Sequence, residues 1–254
     1  MSEEIANRAR QLSKHELFRF NAHAENHGIQ TTVVGGWAVY AYNPYLESID
    51  VDVITPHDRI LDVESILTQQ CGWIPTTIDI PIWKRFSKHI PDAGPLDNVF
   101  FDLLSANLVN AFHEDNRKRI PFHICLEENH YVRRSINDYI NINVPKKELL
   151  FLYKLKSYRD RIFDLRNKAN NETERSRLRA KATKDLSDTI ALIDSNYGPL
   201  DPISLNSFVD KHNLQFLAAT VEELPSQVEA IEQYRGTSTT EVQSWVQRIL
   251  NAFK

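Results

Sequence analysis

The run Val33-Val34-Gly35-Gly36-Trp37-Ala38-Val39, followed by Ser48-Ile49-Asp50-Val51-Asp52-Val53, constrains this chain more than any other feature. The β-branched residues of Thr31–Val34 favour a strand, and two glycines end it. The residues that follow fit a short helix, Gly35–Tyr42, closed by the turn signal Asn43-Pro44. From Glu47 to Thr55 the residues alternate, with Ile49, Val51 and Val53 on one side and Asp50 and Asp52 on the other. Such a segment must place a strand–turn–helix beside a strand that is apolar on one face and acidic on the other. Glycines at a helix start let phosphates approach the backbone, and two carboxylates at i, i+2 suit a divalent cation. Together they point to chemistry on a nucleoside triphosphate.

The remaining periodicity places this segment in a larger α/β unit. Residues 3–27 read as a helix with an imperfect apolar stripe of Ala6, Ala9, Leu12, Leu17, Phe18 and Phe20. Ser13 and Glu16 have capping-box spacing, which predicts a break near residue 13. Pro56–Gln70 is helical and ends at Gly72. Strands are predicted at Trp73-Ile74, Ile78–Trp83 and Lys84–His89, then, after a loop over Pro91–Pro95, at Val99–Leu104, 120–126 and 130–136. Pro145 marks a change of character. Beyond it the pattern is helical: Lys146–Arg166, a polar loop Asn167–Glu174, Arg175–Asn196, a helix capped by Asp201-Pro202, and a last helix Glu241–Phe253 preceded by a Ser238/Glu241 capping box. The expected fold is α+β. An α/β catalytic domain with a mixed sheet and flanking helices spans 1–145, and an all-helical domain spans 146–254.

Composition excludes several classes. The net charge of −4 over 254 residues is ordinary. Cys71 and Cys125 form no CxxC pair and no zinc-spaced cluster, which predicts two buried, reduced thiols. The polar start, Met1–Arg8, has no signal-peptide core, and no run approaches the roughly 20 apolar residues of a membrane span. A soluble cytoplasmic protein with no membrane partner is expected. The charge is uneven, however. Lys146–Lys184 carries 13 basic against 5 acidic residues, a local excess that fits either a phosphate or polyanion site or a solvated helix pair.

A third carboxylate joins the pair. Asp102 stands alone in Val99-Phe100-Phe101-Asp102-Leu103-Leu104, where a charge requires a reason. One reason is a set of backbone hydrogen bonds; the presence of Asp50 and Asp52 favours metal ligation instead. Three carboxylates without His or Cys suit Mg²⁺ or Mn²⁺, with triphosphate oxygens completing the shell.

Gly35-Gly36, Asp50-x-Asp52 and Asp102 on a later strand resemble the DNA-polymerase-β-like nucleotidyltransferase superfamily over residues 30–105. The glycine start is similar to that of the aminoglycoside and lincosamide nucleotidyltransferases. Lys154-Leu155-Lys156-x-x-Arg159 and Lys184-Asp185-x-x-Asp188 look like the later motifs of AbiEii-type nucleotidyltransferases, the toxin components of some toxin–antitoxin systems. The resemblance implies transfer of a nucleoside monophosphate from an NTP such as ATP, with release of pyrophosphate. It implies two Mg²⁺ (or Mn²⁺) ions on Asp50 and Asp52, with Asp102 on the acceptor side and open to a general-base role. Gly35, Gly36 and Ser48 would meet phosphates, although Ser48 serves equally well as a backbone cap. In that branch a Lys-bearing and an Asp-bearing helix complete the active site. Lys154 would then neutralise the triphosphate, with Arg159 as a second phosphate contact. Asp188 either orients Lys154 or pairs with Lys184. Of the tryptophans, Trp37 reads as core and Trp83, beside Lys84 and Arg85, as a base-stacking candidate.

Three functions remain open on the sequence. The chain is a nucleotidyltransferase acting on an RNA or tRNA 3′ end or a protein hydroxyl, with an antitoxin-like protein as a further partner. Alternatively it modifies a small hydroxylated molecule, or it is a non-catalytic nucleotide-binding interaction module.

Overall fold

The computed structural model describes residues 2–76, 82–94, 97–137 and 140–254, and the side chains of all of these except 137 and 140. The fold is α+β: a mixed five-stranded sheet with flanking helices, and a C-terminal helical region. The chain forms two compact units, one of residues 1–109 and 121–146, the other of residues 110–120 and 147–254.

In the first unit, helix α1 (Glu3–Asn26) precedes β1 (Thr32–Val34), α2 (Gly35–Tyr42), β2 (Val51–Thr55) and α3 (Ile60–Ser65). A single π-helical stretch, Ile66–Gln70, extends α3, and Gly72 turns the chain with φ +70°. Strands β3 (Ile74–Pro75), β4 (Trp83–His89) and β5 (Asn98–Ser105) follow. Sheet order is β1-β2-β5-β4-β3, with β2 and β5 parallel and the other pairs antiparallel. Residues 78–81 of the strand expected over Ile78–Trp83, and Pro95 of the expected loop, lie outside the described residues.

The core follows from strand alternation. Val51, Val53, Phe86, Phe101 and Leu103 are fully buried, as are Leu17 and Phe20 of α1 and Trp37 of α2. The Phe101 ring meets the edges of Phe20 at 4.9 Å and Trp73 at 5.5 Å. Residues 52, 85 and 102 take the opposite face, because the pleat reverses direction at each residue.

α1 runs unbroken through residue 13, contrary to the capping-box expectation. Ser13 and Glu16 are buried and serve tertiary contacts instead. The Ser13 hydroxyl accepts from Trp37 Nε1 at 2.8 Å, and Glu16 pairs with Lys88 at 2.7 Å. The strand expected at 120–126 is a 3₁₀ turn, Phe122–Leu126. Pro121 removes a backbone donor there, and burial falls on the adjacent pair Ile124-Cys125 rather than on alternate residues. Strands β6 (Tyr131–Asn137) and β7 (Ile140–Pro145) form a separate antiparallel pair. Asn143 Nδ2 donates to the Thr31 carbonyl at 3.1 Å, and the Tyr42 hydroxyl to that of Pro145 at 2.8 Å.

The second unit is helical. α4 (Lys147–Asn167) packs on α5 (Glu172–Ile193), and α6 (Pro202–Lys211), α7 (Ala218–Glu223), α8 (Val228–Tyr234) and α9 (Thr239–Ile249) follow. α5 begins three residues before the expected Arg175, because Asn171 accepts from Glu174 N at 2.8 Å and caps it. Asp201 caps α6, and Ser238 with Glu241 forms the full capping box of α9. Residues 110–120 pack here through Phe112, whose ring meets Phe216 edge-on at 5.0 Å. No helix among the described residues is long and apolar enough to cross a membrane.

Ser13 supplies a test of the unbroken α1. Ser13→Ala strands a buried indole N–H, so we expect a loss of about 1–3 kcal/mol in urea unfolding. A serine acting only as an exposed cap would be worth less.

Candidate active site

The pieces of the opening segment converge within the first unit. β1 and β2 pair with Val34 opposite Asp52, β2 and β5 with Asp52 opposite Asp102, and β5 and β4 with Asp102 opposite Arg85. Register partners share a face, so Asp52, Asp102 and Arg85 stand in one row across three strands, opposite the core. Asp50 lies one residue before β2. Its Oδ1 accepts from the Phe100 N–H at 3.3 Å, tying the start of β2 to β5.

Gly35 is fixed by its surroundings. Its φ is +68°, and a Cβ built there would lie 2.1 Å from Asp52 Oδ2. Only glycine satisfies both the left-handed backbone and the approach of the carboxylate. Gly36 is buried in the first turn of α2. Ser48 is buried, and its hydroxyl donates to the Asp50 carbonyl at 2.9 Å, the backbone-capping use.

Arg85 has a role that no sequence motif marks. Arg85 Nε and Nη2 donate to Asp102 Oδ1 and Oδ2, both at 2.7 Å, and Trp83 Nε1 donates to Oδ1 at 3.0 Å. The Arg85 pKa is raised, first by the hydrogen bond to Asp102, then against the opposing effect of burial by the charges of Asp102, Asp50 and Asp52. One guanidinium therefore sits in the field of all three carboxylates. Trp83 is turned toward Asp102, and the Arg85 guanidinium lies 5.5 Å from its ring. The available signal was the alternation of β4, which sets Trp83 and Arg85 against Phe86; the register with Asp102 carries no mark in the sequence.

The donor set suits a hard cation in kind, because it is all carboxylate oxygen. Asp50 and Asp52 fit as its holders, with water or substrate oxygens completing the shell. Asp102 is committed to Arg85 and Trp83. Among the described residues no group of three His, Cys, Asp or Glu is placed to hold a metal ion.

The other predicted residues form a cluster within the helical unit. Lys154, 8% exposed, pairs with Asp188 at 2.7 Å and Asp185 at 3.5 Å, and Arg161 also pairs with Asp185. Asp188, 1% exposed, also takes Lys184 at 2.9 Å, so it pairs with both lysines at once. Arg159 donates to Glu114 at 2.6 and 2.8 Å and to the Thr220 hydroxyl at 2.9 Å. Arg159 borders a cleft of about 230 Å³ between α4 and α7, lined also by Tyr158, Arg166 and Glu223. Burial raises the Tyr158 pKa, and the Glu223 charge adds to the rise. Of the 13 basic residues in 146–184, seven make ion pairs: Lys154, Lys156, Arg159, Arg161, Lys168, Arg179 and Lys184. The local basic excess is drawn down by acids such as Glu114, Asp185 and Asp188 from outside the window.

No protein-family model matches the chain. A search among curated proteins also returns no match. Among solved structures, the crystal structure of JHP933 from Helicobacter pylori is similar at 13% identity, over 98% of this chain and 94% of that one, with a TM-score of 0.41. A likeness at that level carries nothing over to this chain.

Substitutions in each cluster test these contacts. Gly35→Ala adds a methyl into Asp52 and strains a positive φ, so we expect a loss of at least about 1–3 kcal/mol in urea unfolding. In an Asp52→Gly background the steric share should vanish, leaving only the backbone strain. Lys154→Met leaves Asp185 and Asp188 buried without their shared partner and should cost about 3–5 kcal/mol. Lys184→Ala, at a partly exposed position, should cost about 1 kcal/mol or less.

Proposed function

We propose that this chain is a divalent-cation-dependent nucleotidyltransferase, moving a nucleoside monophosphate from an NTP to an acceptor hydroxyl and releasing pyrophosphate. One observation supports this above the others: Asp52 and Asp102 are register partners on parallel strands, and Gly35 packs directly against Asp52. Glycine turn, Asp-x-Asp pair and third carboxylate thus meet at one place, although they are separated by up to 67 residues in the chain.

Asp50 and Asp52 would hold Mg²⁺ or Mn²⁺. Bound there, the cation would neutralise the triphosphate and lower the pKa of the attacking hydroxyl. The chain's own groups do the rest. Gly35 makes room for the Asp52 carboxylate at the start of α2, so that a triphosphate reaching that helix start would lie beside Asp52 and its cation. Ser48 braces the Asp50 backbone. Arg85 holds the Asp102 carboxylate at two points and so fixes its plane.

The internal pairing of α4 and α5 bears on the acceptor. Lys154, Lys156 and Arg161 are held by acids of the same two helices and are less open to a polyanion, which favours a protein hydroxyl or a small hydroxylated molecule over an RNA 3′ end.

Incubation of the protein with each α-³²P-NTP, Mg²⁺ and separate pools of RNA, protein or an aminoglycoside tests both points. Label should appear in one pool and fall at least about 100-fold in Asp50→Ala, as expected when a charge-stabilising group is lost. Absence of label from every pool, or undiminished transfer by Asp50→Ala, would overturn the reading.

A further inference from the structure

The acidic face already carries a cation of its own. Arg85 grips both oxygens of Asp102 at 2.7 Å, in the one geometry by which a guanidinium uses up a carboxylate's two-point binding capacity. Trp83 Nε1 adds a third hydrogen bond to Oδ1 at 3.0 Å. The guanidinium lies 5.2 Å from the Phe100 ring and 5.5 Å from the Trp83 ring, so aromatic faces hold it in place. Asp102 is 11% exposed and Arg85 34%, which leaves the arginine with solvent to move into and the carboxylate with little. Asp52 is the neighbour of Asp102 in the same row, and Asp50 adds its charge to the field at Arg85.

We propose that Arg85 is a built-in competitor for the divalent cation: loading of the third carboxylate and release of Arg85 from Asp102 are one event. The reason is capacity. A carboxylate that accepts three hydrogen bonds at 2.7–3.0 Å has filled three of its roughly four lone-pair sites, and the guanidinium charge beside the last one repels a hard cation. With Arg85 in place a cation meets only Asp50 and Asp52. With Arg85 withdrawn it meets three carboxylates, and the freed guanidinium becomes available to a phosphate. The site would thus bind metal weakly until substrate anions compete for Arg85, which couples cation loading to nucleotide arrival. This inference deepens the nucleotidyltransferase reading and rests on it for the identity of the anion.

Mn²⁺ binding to the full chain, followed by the loss of the free-ion paramagnetic signal, tests the competition without reference to activity. Arg85→Lys is the decisive variant. It keeps the charge but loses the planar fork, so tighter binding there reports the freed carboxylate rather than reduced repulsion. We expect Mn²⁺ affinity to rise several-fold in Arg85→Lys and at least tenfold in Arg85→Gln. Thermal unfolding of Arg85→Gln with and without Mn²⁺ covers the case in which it folds only with the metal; a larger metal-induced shift than in the parent protein supports competition. Parent-like affinity in Arg85→Lys, or tightening in Arg85→Gln alone, overturns it, as does the absence of Mn²⁺ binding in all three proteins. If Mn²⁺ affinity rises as expected while no acceptor is labelled, the transferase reading fails and the competition stands. If label transfer proceeds but Arg85→Lys binds like the parent, the competition fails alone.

Discussion

The parallel pairing of β2 and β5 is the constraint on which the first unit depends. Val51 lies opposite Phe101 and Val53 opposite Leu103, and all four are fully buried. Because side chains alternate, that register also sets Asp52 beside Asp102 on the other face. A slip of one residue in either strand would carry that strand's carboxylate into the core and expose its apolar set. Core packing and site assembly are therefore a single requirement. The like charges so produced stand on adjacent strands, about 5 Å apart at the backbone, and repel each other. β4 answers this by offering Arg85 at the next position in the row.

Much of this was legible because alternation is a local signal. α2 begins and ends where the glycine pair and Asn43-Pro44 place it, and the apolar side of β2 and β5 reads directly. What failed to read was non-local. Ser13 and Glu16 carry a capping box in their spacing, yet Trp37 and Lys88 recruit them from distant segments, and the helix continues. β7 escaped notice although Ile142 and Val144 alternate with asparagines, since asparagine speaks against a strand. In the sequence Arg85 is only a neighbour of Trp83; the β4–β5 register shows which carboxylate it serves.

The helical unit defeats periodicity for a different reason. Along the first half of α4 nearly every residue is buried, Lys147, Glu148, Lys154 and Lys156 included. A pattern of apolar against polar residues cannot mark the inner face of a helix whose buried positions include charges. Those charges are matched rather than avoided: Lys154 to Asp188 and Asp185, Lys156 to Asp160, and Asp188 again to Lys184. A buried pair returns little net stability, because desolvation offsets the attraction, but it is strongly destabilising to break. Such a network does more to fix how α4 and α5 meet than to hold them together. The sequence showed its members as motif residues and a basic run; three of the acids that pair with the run, Glu114, Asp185 and Asp188, lie outside it.

Gly35 and Asp52 show how one residue answers to two demands. A glycine before a helix invites a phosphate reading, since backbone N–H groups there are bare. The contact in this fold is with the chain's own carboxylate: Asp52 Oδ2 occupies the space where a Cβ would stand. Two anions cannot share that turn without a cation between them. If triphosphate approaches Gly35, it does so beside Asp52, and the charge that reconciles them must come from a divalent ion on the Asp50–Asp52 pair or from a guanidinium leaving Asp102. On the proposed function the glycine turn would serve a phosphate only together with a cation, and the acidic row and the turn would be parts of one device rather than two adjacent motifs.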